Sequence, residues 1–312
     1  MLRIAIRLLV IAGSLNVASP YAATPEIETL NESESTFNLG GSHISVEIRD
    51  PVLRGKKDML LDWIVYSAET VSRYYGRFPV DNVFIKVQVT DGDAVRFGQA
   101  FGGDSPFVRV VVGEQVTPET LRKDWIMVHE MVHLAMATVP PENRWWLEGL
   151  STYVESIARA QQGHLSPDFV WNGFYHRMPQ GLPQSGDRGL DQTPTWGRIY
   201  WGGAMFCLLA DIEIRKLTDN RKSLRDALRG ILQDGYSMKT SATPMQIFES
   251  ADRAVGVDVL VPLYQQMRTD PFPVDLDKLW QELGIGIKND AIIYNNEAPL
   301  APIREALLKG NR

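Results

Sequence analysis

His129-Glu130-Met131-Val132-His133 is the stretch on which the reading of this chain turns. On a helix, positions i and i+4 stand one above the other, so both imidazoles can reach a single ion. Glu130 sits one residue round, beside such an ion rather than on it, placed to take a proton from a water. The surrounding residues predict the helix that this requires. Thr117 is an N-cap with Pro118 at the first helical position, and Pro140-Pro141 stop the run after about Thr138. Leu121, Trp125, Val128, Val132 and Ala135 form the opposite stripe, expected to face the core.

A catalytic zinc takes a third protein ligand and keeps one position open. Downstream of His133, the segment Trp145-Trp146-Leu147-Glu148-Gly149-Leu150-Ser151-Thr152-Tyr153-Val154-Glu155 offers Glu148 at the start of a second helix, expected from about 148 to 160. The two prolines let the chain double back, so the second helix can lie antiparallel to the first. Glu155 shares a face with Glu148. It is therefore expected to accept the free ring N–H of one ligand histidine, the contact that orients such ligands.

With these residues in place, the pattern resembles the gluzincins of the peptidase MA-like clan. Tyr200-Trp201-Gly202-Gly203-Ala204, with the helical run after it, resembles the glycyl aminopeptidase family most closely. The likeness covers roughly residues 40 to 285 in organisation and is motif-specific at 129–155 and 199–232. It implies a thermolysin-like α+β fold, in which a small N-terminal mixed sheet with a helix precedes a helical half and zinc lies in the cleft between. It implies Zn2+ on His129, His133 and Glu148, with Glu130 as general base. Tyr200 would then be the tyrosine that donates to the oxyanion, with Tyr175 its rival for that role. The expected substrate is a peptide or protein, and the likeness favours an aminopeptidase over an endopeptidase.

Two departures mark this chain. The spacing from His133 to Glu148 is shorter than in most glycyl or neutral aminopeptidases. The G-x-M-E-N segment that grips a substrate amino terminus in many of those enzymes is absent. Phe101-Gly102-Gly103-Asp104 stands in the comparable place, which makes Asp104 the possible anchor for a substrate amine.

Outward from the motif, His43 to Arg49, Val83 to Val89 and Phe107 to Val112 read as strands, and Asp58 to Tyr75 as a helix stopped by Gly76. The sheet is expected to be mostly antiparallel, with Phe107 to Val112 as an edge strand able to hold substrate backbone. Residues 24 to 36 are polar and read as a loose lead-in. Residues 161 to 198 read as an irregular segment too long for an ordinary connector, of the kind that forms functional covers or mobile loops. Helices are expected again at about 199–217, 223–232 and 244–254. The division that follows is 24–138 for the N-terminal subdomain and 139–312 for the helical one.

Arg3 and Arg7 precede an apolar run, Leu8 to Ala18, that gives way to small residues up to Ala23. This reads as a secretory signal peptide over residues 1–23, hence a secreted or periplasmic protein with no stable membrane insertion after its removal. The formal net charge is −6 with no basic block, which argues against a nucleic-acid partner. Cys207 is the single cysteine, inside an apolar helical run, and reads as a small buried hydrophobe. His43, His164 and His176 lack ligand spacing to one another. A rival reading from another class is a non-hydrolytic binding or chaperone protein with a residual zinc site, which would have no use for Glu130.

Overall fold

A computed structural model of the protein describes residues 25–309, so the signal-peptide reading lies outside the described residues. The chain order begins with β1 (Ile27–Thr29), β2 (Glu34–Leu39) and β3 (Ser42–Ile48), then α1 (Pro51–Arg54), α2 (Lys57–Tyr75), β4 (Asn82–Thr90), β5 (Val95–Phe101) and β6 (Phe107–Gly113). The six strands form one sheet in the order β1-β2-β3-β4-β6-β5. Ile44, Val46 and Ile48 alternate inward beside Val83, Ile85 and Val87 and beside Val108, Val110 and Val112, as the period-2 pattern requires. Gly76 ends α2 in the left-handed conformation, at φ 84°.

The sheet is mixed, as expected, with antiparallel pairing for β1–β2, β2–β3 and β5–β6 and parallel pairing for β3–β4 and β4–β6. The α1–α2 crossover makes the first parallel step, because a strand that returns through a helix enters the sheet in the same direction. The polar lead-in is not loose. Ser35, Thr36 and Phe37 are buried in β2, which pairs with β3, and only Phe37 and Leu39 carried an apolar signal there. The Phe107–Gly113 strand is flanked on both sides, and β5 is the edge.

The helical half comprises α3 (Pro118–Lys123), α4 (Ile126–His133), α5 (Arg144–Gln161), α6 (Pro167–Arg177), α7 (Gly203–Leu217), α8 (Leu224–Gln233), α9 (Pro244–Val255), α10 (Leu260–Met267) and α11 (Leu276–Leu283). The β7–β8 hairpin (Ile285–Lys288, Ala291–Tyr294) and α12 (Ala301–Leu308) follow. The single helix expected over 117–138 is broken at Asp124. Its carboxylate accepts the N–H groups of Ile126 and Met127, both at 3.0 Å, and so starts a new helix. At the break Trp125 leaves the core stripe and lies half in solvent. Glu148 lies in the second turn of α5, not at its start, because Arg144 already continues the short 3₁₀ turn Pro141–Asn143.

Residues 161–198 are not irregular throughout. Val170, Trp171, Phe174 and Met178 are buried at helical spacing along α6, and Ser166 caps it. Gly173 and the flanking prolines concealed that period. Apolar packing is continuous from Phe37 in the sheet to Leu308 in the last helix, and Trp145 and Trp146 lie inside it. Cys207 is buried there, and burial pushes its thiol well above the usual range, as an inert small hydrophobe requires. Among the described residues no helix is long and apolar enough to cross a membrane.

Candidate metal centre

α4 and α5 pack against each other and present His129, His133 and Glu148 to one point. One ligating atom from each lies within 4.8 Å of the others. The Glu148 Oε2 is 3.3 Å from His129 Nε2 and 3.6 Å from His133 Nε2. Ligands at about 2.0–2.1 Å in a tetrahedron stand roughly 3.3 Å apart, so the three atoms fit a zinc ion. Both histidines are buried and Glu148 is half-buried, so the donor set is largely withdrawn from water.

Neighbours hold two of the three. Arg144 donates to the other Glu148 oxygen from Nε at 3.3 Å and Nη2 at 3.2 Å, which leaves Oε2 for the histidines. Ser151 Oγ lies 3.3 Å from His133 Nδ1, while His129 Nδ1 is buried without a hydrogen-bond partner. Burial presses His129 down to about 4, so its ring is neutral at pH 7. Glu148 is held well below the usual carboxylate range: burial works against this, but the bonds to the two histidines outweigh it. A neutral imidazole and an ionised carboxylate are the states that a metal ligand requires. His133 is drawn upward despite its burial, by Glu148 and Glu130. A divalent cation at that point supplies the positive charge which those carboxylates otherwise draw from a proton.

Glu130 points to the neighbouring strand rather than into the ligand triangle. Its Oε2 accepts the Ala100 N–H of β5 at 2.8 Å. Burial raises its pKa above the ordinary glutamate value, the direction that makes a carboxylate a better base. Gly98 permits the approach: a Cβ there would strike Ile126 and Glu130. Since residues two apart on a strand face the same edge, Gly98 and Ala100 turn their backbone groups toward the cleft. The strand open to further pairing on this side of the sheet is therefore β5, not Phe107–Gly113.

Tyr200 stands in a π-helical turn, Arg198–Gly202, that runs into α7. Such turns recur at functional sites. This one crosses α5 at Gly149 and Gly203, where a Cβ on either would collide with the other helix backbone. The crossing brings Tyr200 to the metal centre, its ring centroid 6.4 Å from that of His129. Burial and then the Glu148 charge push its hydroxyl up to about 12, so it stays a donor at neutral pH. Beneath the turn, Arg198 is buried, paired with Asp187 at 2.8 Å, and donates to the Gly181 carbonyl.

Three expected roles meet a different geometry. Glu155 does not serve a ligand histidine: Arg159 takes its carboxylate at 2.5 Å and Ser156 at 2.8 Å, because both lie closer along its own helix. Asp104 is exposed in the β5–β6 turn and does not line the cleft. The turn is pinned by the Gly103 N–H to the Met238 carbonyl at 3.2 Å, and Asp104 stays in solvent. Tyr175 packs on Trp280, away from the metal ligands, and Tyr200 is the tyrosine that lines their cleft. His43 and His164 stay outside the cleft, bonded to Asn38 and stacked on Tyr66 respectively.

Arg144, Ser151 and the Ala100 N–H went unread. The first two had a signal, since they lie four before and three after Glu148 on one helix. A backbone N–H has none.

No protein-family model and no curated protein matches this sequence. Solved structures do match. An aminopeptidase N family protein from Idiomarina loihiensis is similar at TM-score 0.61 and 13% identity, over 85% of this chain and 50% of that one. The fold is shared with that aminopeptidase N family protein. An M1 zinc metallopeptidase mutant from Deinococcus radiodurans, bound to a Tyr-Ser-Ala substrate, matches at TM-score 0.47 and 12% identity, over 80% of this chain and 52% of that one. The chain thus spans about half the length of the solved structures it matches.

Proposed function

We propose that this protein is an exported zinc-dependent peptidase, acting as an aminopeptidase in the manner of the glycyl aminopeptidases that its Tyr200–Ala204 segment resembles. The observation that carries the proposal is the triangle of His129 Nε2, His133 Nε2 and Glu148 Oε2, with Glu130 beside it and bonded to an edge strand. Zinc held by His129, His133 and Glu148 would supply an activated water and polarise the scissile carbonyl. Glu130 takes the proton on its carboxylate and passes it to the leaving amine. The Ala100 N–H fixes that carboxylate while it does so. Tyr200 donates its hydroxyl hydrogen to the oxygen on which charge develops. Substrate backbone lies along Gly98 and Ala100 of β5. Glu130 also weighs against a non-hydrolytic zinc scaffold, in which a buried carboxylate beside the metal would have no task.

Digestion of a peptide library by the zinc-loaded mature chain tests this. Cleavage that stops with a chelator and returns with zinc supports the proposal, and amino-terminal acetylation of a cleaved peptide reports the mode. An aminopeptidase loses most of its rate on the blocked peptide. A zinc-loaded chain that cuts no peptide contradicts the proposal.

A further inference from the structure

Beside the metal cleft lies a second cavity of about 660 Å³, between α5 and α6. Trp125 and Tyr200 line both spaces, so the cavity continues the cleft. Its size falls within the range of about 300–1,000 Å³ in which proteins bury small ligands, and one side chain does not fill it.

Its lining has two unusual features. Phe169, Trp196 and Trp125 are 64%, 58% and 50% exposed, and all three rim this one cavity. Large rings left together in water mark a binding surface. The second feature is charge. Lys123, His176 and Arg177 stand on the exposed rim, and Arg159 is in the floor. Arg159 is matched by Glu155, and Lys123 by Glu119 at 2.7 Å. Arg177 lies over the Trp201 ring at 6.0 Å and has no carboxylate partner among the described residues. The cavity's one lining carboxylate, Glu155, is taken by Arg159 and Ser156. A cation is thus left in this cavity for an anion, and no carboxylate for a lysine side chain.

We propose that this cavity holds the carboxy-terminal end of a short peptide substrate, with an aromatic side chain among the three rings and the free carboxylate at Arg177. This rests on the peptidase reading and adds a substrate class to it: short peptides with a free carboxy terminus, cut so that the leaving fragment occupies the cavity. Aromatic rings and a guanidinium recognise a phenylalanine carboxylate together, and a cationic lining without a free carboxylate disfavours a lysine in its place.

Short peptides that differ only at the last residue, Phe or Lys, and only in the terminus, acid or amide, test the proposal on the zinc-loaded chain. The Phe acid is expected to be cut with kcat/KM about tenfold above the Phe amide or the Lys acid. Arg177→Gln should bring acid and amide together. A Cβ on Gly173 meets nothing within 4 Å, so Gly173→Trp can narrow the cavity from α6 and should raise KM for the Phe acid about tenfold. Calorimetry on the zinc-bound Glu130→Gln chain should give the same order of affinities without turnover. If acid and amide are cut equally and neither variant alters the ratio, the cavity is not the subsite, and the peptidase reading stands. If the wild type cuts nothing while the Glu130→Gln chain still prefers the Phe acid, the peptidase reading fails and the binding site stands. Equal binding of acid and amide to that chain overturns the inference.

Discussion

The two walls of the cleft are built differently. The metal wall, α4 and α5 with the π turn behind them, has buried histidines, a glutamate gripped by Arg144, and helices that touch through glycines. The facing wall, β5, leaves Phe97 in solvent and lines the cleft with Gly98 and Ala100. Three ligands must converge to within tenths of an ångström, and only packed elements hold side chains that closely. A peptide needs backbone groups and rings within reach of solvent, and an exposed edge strand provides them. Rigidity is thus concentrated where a cation sets the geometry, and exposure where a chain must come and go.

The contrast breaks most sharply at Glu130, which bridges the walls. Glu130→Gln is expected to lower kcat by about 10²–10⁴ with the fold intact. In the wild type the ionised form is the active one, and burial raises its pKa. The rate should therefore fall, as pH falls, when Glu130 takes up a proton. A pH–rate profile checks this.

Next comes the support of the π turn. Asp187→Ala leaves Arg198 buried without its ion partner and should cost about 3–5 kcal/mol, read by denaturant unfolding. A loss below about 1 kcal/mol would mean that the turn is held by packing alone. Tyr200→Phe should lower kcat by about 10²–10³ with little change in KM, and steady-state kinetics would show it. The same loss in Tyr175→Phe instead would move the donor to the wrong part of the molecule. The smallest effect is expected at Asp104. It is exposed outside the cleft, so Asp104→Asn should leave kcat/KM for an unblocked peptide within about twofold.

The same division decides what was legible in the sequence. Local spacing writes the metal wall: i and i+4 place His129 and His133, and the alternation of Ile44, Val46 and Ile48 locates a buried strand. The facing wall depends on contacts between distant segments. Whether Phe107–Gly113 or Val95–Phe101 takes the edge follows from the order of strands in the sheet, and no local pattern encodes that. Asp124 shows a subtler loss, since a helix interrupted for one residue keeps its period on both sides of the break. Glu155 shares a face with Glu148, but an arginine one turn away competes for it more closely than a histidine on another helix. Tyr200 was found through resemblance, and the glycine crossing explains why the resemblance holds.

Zinc content decides the central claim, measured by elemental analysis on the wild type, Glu130→Gln and Glu148→Ala after dialysis. One zinc ion per chain is expected in the first two and none in the third, because His129, His133 and Glu148 are the proposed ligands and Glu130 is not among them. A wild type that binds no zinc, or a Glu148→Ala chain that keeps it, would contradict the account.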